Sequence, residues 1–144
     1  MTRTFTKLLA LALVAISSFS ACTKTTTQNY TTDQLIGTYT IISIRGVATG
    51  APEQDLMSVF LDDCQRDDLM VLKSDLTLQM VDAGTTCVPS SNDNSGDWNV
   101  NGNTFYWDGE PYRIKSLTNT NLVIEESETN NGVTQTITVT FTRR

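Results

Sequence analysis

Apolar and polar residues alternate most strictly at the end of the chain, where Ile137, Val139 and Phe141 interleave with Thr136, Thr138, Thr140 and Thr142. Successive strand residues point to opposite faces, so this stretch predicts a strand with one buried and one wet face. Comparable runs recur upstream, each closed by turn chemistry. Leu35-Ile36-Gly37-Thr38-Tyr39 opens a largely buried strand that continues through Ile41, Ile42 and Ile44 to Arg45, ending at Gly46 and a Gly50-Ala51-Pro52 turn. The period then changes. Pro52 at a first helical position, Glu53 and Asp55 in a first turn, and Leu56, Val59 and Phe60 at helical spacing predict one short helix ending near Asp62-Asp63-Cys64. Leu69 to Lys73, a Ser74-Asp75 turn and the alternating Leu76, Leu78 and Met80 read as a hairpin. A Ser/Asn/Asp-rich loop runs from Pro89 to Asn94. Trp98 and Val100 then lead into Asn101-Gly102, the dipeptide that most favours a two-residue type I′ turn, and the chain returns through Thr104 to Trp107. Turns at Asp108-Gly109, Thr118-Asn119-Thr120 and Asn130-Asn131-Gly132 separate the last three strands, Tyr112 to Leu117, Leu122 to Ser127 and Val133 to Thr142. Eight sequential strands with short connections predict an all-β fold: an eight-stranded antiparallel up-and-down barrel with one short helix after the first strand, closed so that no edge is left. An open sandwich is the second arrangement this pattern admits.

The N-terminus follows a different logic. Arg3 and Lys7 precede a nearly unbroken apolar run from Leu8 to Ile16, and small residues then lead to Cys22. Nine apolar residues fall well short of the ~20 that a membrane-spanning helix needs. The run Phe19-Ser20-Ala21-Cys22 resembles the lipobox of bacterial lipoproteins, with Phe19 where that pattern usually has Leu. The resemblance implies that the Cys22 thiol is diacylated and becomes the first mature residue. The expected layout is therefore a lipoprotein signal peptide over 1–21, a lipidated flexible tether over 22–32 and a barrel domain over 33–144. Thr23 stands where lipoproteins retained at the inner membrane commonly carry Asp. This implies an outer-membrane anchor, on the periplasmic face rather than the cell surface.

Composition sharpens both readings. A chain beginning at Cys22 has 123 residues, enough for one domain with a core of its own. It carries 8 Lys plus Arg against 16 Asp plus Glu, a net charge of −8 that repels phosphate backbones and removes nucleic acid as a partner. Its 21 Thr residues favour half-solvated strands. With Cys22 taken by lipid, Cys64 and Cys87 are an even pair in an exported chain and read as one disulfide. A metal site built on the same two cysteines lacks further ligands, because the sequence contains no His. The absence of His also removes Ser-His and Cys-His chemistry. The acidic pairs Asp62/Asp63, Asp67/Asp68 and Glu125/Glu126 read as solvated surface charge rather than catalytic carboxylates, and no loop has the EF-hand calcium spacing. No catalytic residue, metal ligand or cofactor is expected.

The chain resembles the lipocalin-like domain family of small bacterial lipoproteins. The resemblance is carried by Leu35-Ile36-Gly37-Thr38-Tyr39, Cys64-Gln65-Arg66-Asp67-Asp68, Ser74-Asp75-Leu76-Thr77 and Cys87. It continues through Gly96-Asp97-Trp98-Asn99-Val100, Asn101-Gly102-Asn103-Thr104, Tyr112 to Thr118 and Leu122-Val123-Ile124. Leu76 stands where the family often has Gly, and Tyr39 where Trp is common. The resemblance implies a barrel and a Cys64–Cys87 bridge but no particular ligand. Trp98, Tyr106, Trp107 and Tyr112 cluster around the Asn101-Gly102 hairpin and are the candidate ligand-binding residues, since aromatic faces suit an apolar or amphipathic guest. The competing expectation is a barrel filled by these side chains, serving as a structural or protein-interaction lipoprotein. Expected partners are thus the membrane, through the lipid, and either a small hydrophobic ligand or an envelope protein.

Overall fold

A computed structural model describes residues 28–87 and 95–144. The signal peptide, Cys22, most of the expected tether and the 89–94 loop lie outside the described residues. Among the described residues, eight strands form a closed antiparallel barrel: β1 (Gly37–Ala48), β3 (Leu69–Leu72), β4 (Thr77–Val81), β5 (Ser95–Asn101), β6 (Thr104–Trp107), β7 (Glu110–Leu117), β8 (Asn121–Asn130) and β9 (Val133–Arg143). Each pairs with the next, and β9 closes onto β1 over a register from Tyr39↔Arg143 to Ala48↔Gln135. The up-and-down barrel, rather than the open sandwich, is the arrangement adopted.

The alternation that predicted the strands survives with two interruptions. Bulges between Ile41 and Ser43 in β1, and between Ile114 and Ser116 in β7, shift the inward phase by one residue. Tyr39 and Ile44 therefore both point inward, whereas Ile42 is 51% exposed although it belongs to a stretch that reads as buried. The turns obey local chemistry. Asp108-Gly109 and Asn131-Gly132 have both residues at positive φ, as type I′ hairpins require. The expected Asn101-Gly102 turn falls one residue later. Asn101 pairs with Thr104, so the loop is Gly102-Asn103 with positive φ at Gly102, the first-position signature of type II′.

One end of the barrel is plugged. Helix α1 (Thr32–Leu35) precedes β1, where the sequence reading had a tether ending at 32 and a strand opening at Leu35. Gln34 accepts a hydrogen bond from the Thr31 N–H at 2.9 Å, fixing the first turn. Tyr30 and Leu35 are buried in the core, and the Tyr30 N–H donates to the Gly102 carbonyl at 2.7 Å. The packed domain thus begins at Tyr30, ahead of the expected boundary at 33. Above this plug the Tyr39 hydroxyl donates to the Leu35 carbonyl (2.6 Å) and accepts from Arg143 Nη2 (2.5 Å). The Arg143 guanidinium lies 5.2 Å from the Tyr39 ring centroid. Trp98, Phe105, Phe141, Met70, Leu72, Leu78 and Leu122 fill the barrel above it.

The opposite end is built by the excursion between β1 and β3. The helix expected from Pro52 starts only at Met57. Gln54–Asp55 instead forms a two-residue strand, β2, on Arg45 and Gly46, and α2 (Met57–Phe60) follows. The cause is local. Gly46 leaves a gap that Leu56 occupies, since a Cβ there would sit 2.5 Å from Leu56 Cδ1, and the Leu56 N–H donates to the Ile44 carbonyl at 2.9 Å. The segment then reaches Cys64, which is bonded to Cys87 with a Cα–Cα distance of 5.3 Å. The charged residues after Cys64 hold the next loop rather than merely solvating it. Asp67 accepts from the Thr85 N–H (2.8 Å) and Asp68 from the Ala83 N–H (3.2 Å).

Candidate ligand site at the open end of the barrel

Side-chain bulk falls along the barrel axis from the plugged end upward. At the Phe141 level, Ile41 and Leu122 are its register partners and the interior is full. One layer up, Val139 sits between Ile44 and Ile124. The next layer sets Ile137 between Glu126 and Gly46, so one of three positions has no side chain. The result is a recess of about 180 Å³ at this end, walled by Ile44, Ile124, Ile137 and Val139 and lidded by Phe60 of α2, with Tyr112, Glu125 and Glu126 at its rim. Its lining is predominantly apolar. A cavity of ~150 Å³ lined by aliphatic and aromatic residues holds a benzene-sized guest, so this one suits a single small ring or a short chain. Phe60 is 52% exposed, an apolar side chain over the opening that the fold itself does not bury.

The rim is electrostatically lopsided. Arg113 is opposite Glu125 in register, which places Tyr112 beside Glu126 on the inner face. Partial burial raises the Tyr112 phenol above its ordinary pKa of 10.0, and the carboxylates of Glu126, Glu110 and Asp108 raise it further. Tyr112 therefore remains a neutral hydrogen-bond donor at any physiological pH. Glu125, one residue from Glu126, is only 9% exposed rather than solvated as expected; it also borders the recess and is held by Arg113 Nε (2.8 Å) and Lys115 Nζ (3.5 Å). Among the described residues, Glu126 has no ion-pair partner.

Two other depressions compare poorly. A broader one of about 430 Å³ is bordered by Thr104, Glu110, Pro111, Arg113 and Ser127 and also by Glu125 and Glu126, which line both openings. A groove of about 210 Å³ runs beside Gly46, Ala51, Pro52 and Gln135. Neither is lined by the inward-facing Ile44, Ile124 and Val139, where burying a guest yields the largest hydrophobic gain, although the groove shares Ile137 with the recess. Among the described residues, no three Asp, Glu or Cys side chains converge on a point where they could hold a metal ion.

The four aromatic candidates separate. Tyr112 lines the recess. Trp98 is 2% exposed, its indole N–H donates to the Lys73 carbonyl at 3.0 Å, and its ring lies 6.2 Å from Phe105, so it is part of the filled core. Trp107, opposite Trp98 in register, is half-buried against that core. Tyr106 pairs with Asn99 and Pro111 on the outer face. The lining that sequence reasoning missed consists of Ile44, Phe60, Ile124, Glu126, Ile137 and Val139. The strict alternation in β9 already marked Ile137 and Val139 as inward-facing, but nothing local marks the layer at which packing gives out.

The lipocalin-like domain model matches residues 35–124, well over half of the chain. The chain belongs to the lipocalin-like domain family. No curated protein and no solved structure matches it. The matched lipocalin-like span contains the first seven barrel strands up to Ile124 of β8, and with them most of the recess, while β9 completes the wall with Ile137 and Val139. Lipocalin-like proteins are generally binders rather than enzymes, which agrees with a recess that presents apolar walls and one phenol.

Proposed function

We propose that this protein is a lipid-anchored lipoprotein of the cell envelope that holds a small apolar or amphipathic ligand in the open end of its lipocalin-like barrel. The observation that carries the reading is the apolar recess of about 180 Å³ lidded by the exposed Phe60. The anchor is Cys22, supported by the lipobox-like Phe19-Ser20-Ala21-Cys22 run, and the protein sits on the periplasmic face of the outer membrane. The competing role, a filled barrel that serves as a protein-interaction lipoprotein, draws on the packed lower interior around Trp98 and Phe105.

Binding decides between the two. The Cys22→Ser chain, released from the membrane, is titrated with naphthalene-sized fluorescent probes. Saturable binding that is lost in Ile124→Trp, where the indole occupies the recess, supports the carrier role. Binding that is absent, or indifferent to Ile124→Trp, overturns it. For the anchor, Cys22→Ser is expected to move the protein from the membrane to the soluble fraction, and continued membrane fractionation would count against lipidation.

A further inference from the structure

We propose that the ligand is a small cationic amphiphile, an amine whose apolar body enters the recess while its ammonium is held at the rim by Glu126 and the ring of Tyr112. This rests on the carrier reading and adds the charge of the guest. Glu126 follows the inner-face register of β8 and is exposed where the recess meets the depression beside Arg113; among the described residues it has no ion-pair partner. The Lys and Arg residues nearest this end are already spent elsewhere. Arg45 pairs with Asp55 (3.4 Å), Arg66 with Asp63 (3.2 Å), and Arg113 and Lys115 with Glu125. Lys73, Arg143 and Arg144 belong to the plugged end, where Arg143 bonds Tyr39 and Arg144 bonds Thr40 (3.0 Å). Glu110 and Asp108 add further negative charge close to Tyr112.

An anionic amphiphile such as a fatty acid would bring its carboxylate against Glu126, with Glu110 and Asp108 adding to the repulsion, and among the described residues no Lys or Arg at this end is left unpaired to receive it. A neutral guest would use the apolar walls and the Tyr112 hydroxyl but leave Glu126 unused. A cation satisfies both groups. It takes an ion pair from Glu126 and a cation–π contact from Tyr112, while its hydrocarbon part fills the space beneath Phe60. The net charge of −8 on the chain from Cys22 onward draws such ligands from a distance and lowers the encounter rate of anions.

Three probes with one benzene ring separate charge from shape: 2-phenylethylammonium, 2-phenylethanol and 3-phenylpropionate, each titrated calorimetrically into the Cys22→Ser chain at neutral pH and low salt. The cation is expected to bind about five- to tenfold more tightly than the alcohol, and the anion more weakly than both. Glu126→Gln should bring the cation down to the alcohol's affinity while leaving the alcohol unchanged, and Ile124→Trp should abolish all three. If the alcohol and cation bind equally, if the anion binds best, or if Glu126→Gln leaves the cation's preference intact, the charge assignment is wrong and the carrier reading stands. If no probe saturates the wild-type recess, both readings fall together.

Discussion

Leu76 carries a backbone cost that a single substitution can relieve. It sits at φ +66 in the β3–β4 turn, where the Lys73 carbonyl accepts its N–H at 3.1 Å. The left-handed region costs a side-chain-bearing residue about 1–2 kcal/mol, part of which glycine would recover and part of which its own flexibility would return. Glycine fits the turn as built. Leu76→Gly is expected to raise stability by about 0.5 kcal/mol, read as a small upward shift in Tm, and a clear fall would mean that the leucine side chain matters more than its backbone. The neighbouring Asp75 is a pH-sensitive element of the same turn. Its carboxylate accepts from Thr77 Oγ1 (2.6 Å) and the Thr77 N–H (3.0 Å), and these bonds hold its pKa below the ordinary 3.8. The contribution of a carboxylate lowered in this way is present above the unfolded value and lost as pH falls through the folded one. Urea midpoints measured at pH 5 and pH 3 should therefore fall less in Asp75→Asn than in the wild type, and equal falls would remove Asp75 from the account.

At the scale of elements, the lid over the recess depends on one absent side chain. Gly46 admits Leu56 against β1, and this contact turns the chain from β2 into α2 so that Phe60 hangs over the opening. Gly46→Val would drive a branched side chain into Leu56 at a cost of about 1–3 kcal/mol and displace α2, so probe affinity should fall by more than stability alone accounts for. Unchanged affinity would show that Phe60 is not part of the site. The same segment marks where sequence reasoning stops. Pro52, Glu53 and Leu56 follow the rules of a helix start, and those rules say nothing about an exposed edge of β1 at Arg45 and Gly46 that captures Gln54–Asp55 first. The eight strands were legible because alternation and turn dipeptides are local. The two bulges were not, since no residue type in Ile41 to Ser43 or Ile114 to Ser116 announces them. Aromatic clustering and the recess coincide only at Tyr112, for a related reason. Large rings such as Trp98 and Phe105 go where the barrel is fullest, and a recess lies where bulk is missing, which is a property of three strands in register rather than of any one stretch.

For the whole molecule, the disulfide sets how the domain holds together, and the proposed lipid anchor would set which way it faces. The Cys64–Cys87 bridge, 23 residues apart in sequence, ties the excursion that builds the lid to the loop after β4. Closing a loop of that length is worth roughly 3 kcal/mol in the chain-entropy model, so Cys64→Ser/Cys87→Ser should lose about that much by denaturant titration. The tether acts at the other end. Tyr30 is fixed to the plug through the Gly102 carbonyl, and the eight residues from Cys22 to Asn29 can span at most about 29 Å. The 12 residues of β1, at about 3.3 Å each and tilted by about 40°, make the barrel about 30 Å tall. Under the proposed lipidation, the tether is therefore too short to let the domain turn over freely. So anchored, the plug would face the bilayer and the Phe60 opening the aqueous compartment, from which a charged, water-soluble amine would enter directly. Spin labels at Asn119→Cys, in the loop at the plugged end, and at Val59→Cys, on the lid, test this in the membrane-anchored protein. The label at 119 should be relaxed by lipid-phase oxygen and the label at 59 by a water-soluble paramagnetic ion. The reverse pattern would place the opening at the lipid surface and make the bilayer the source of the ligand.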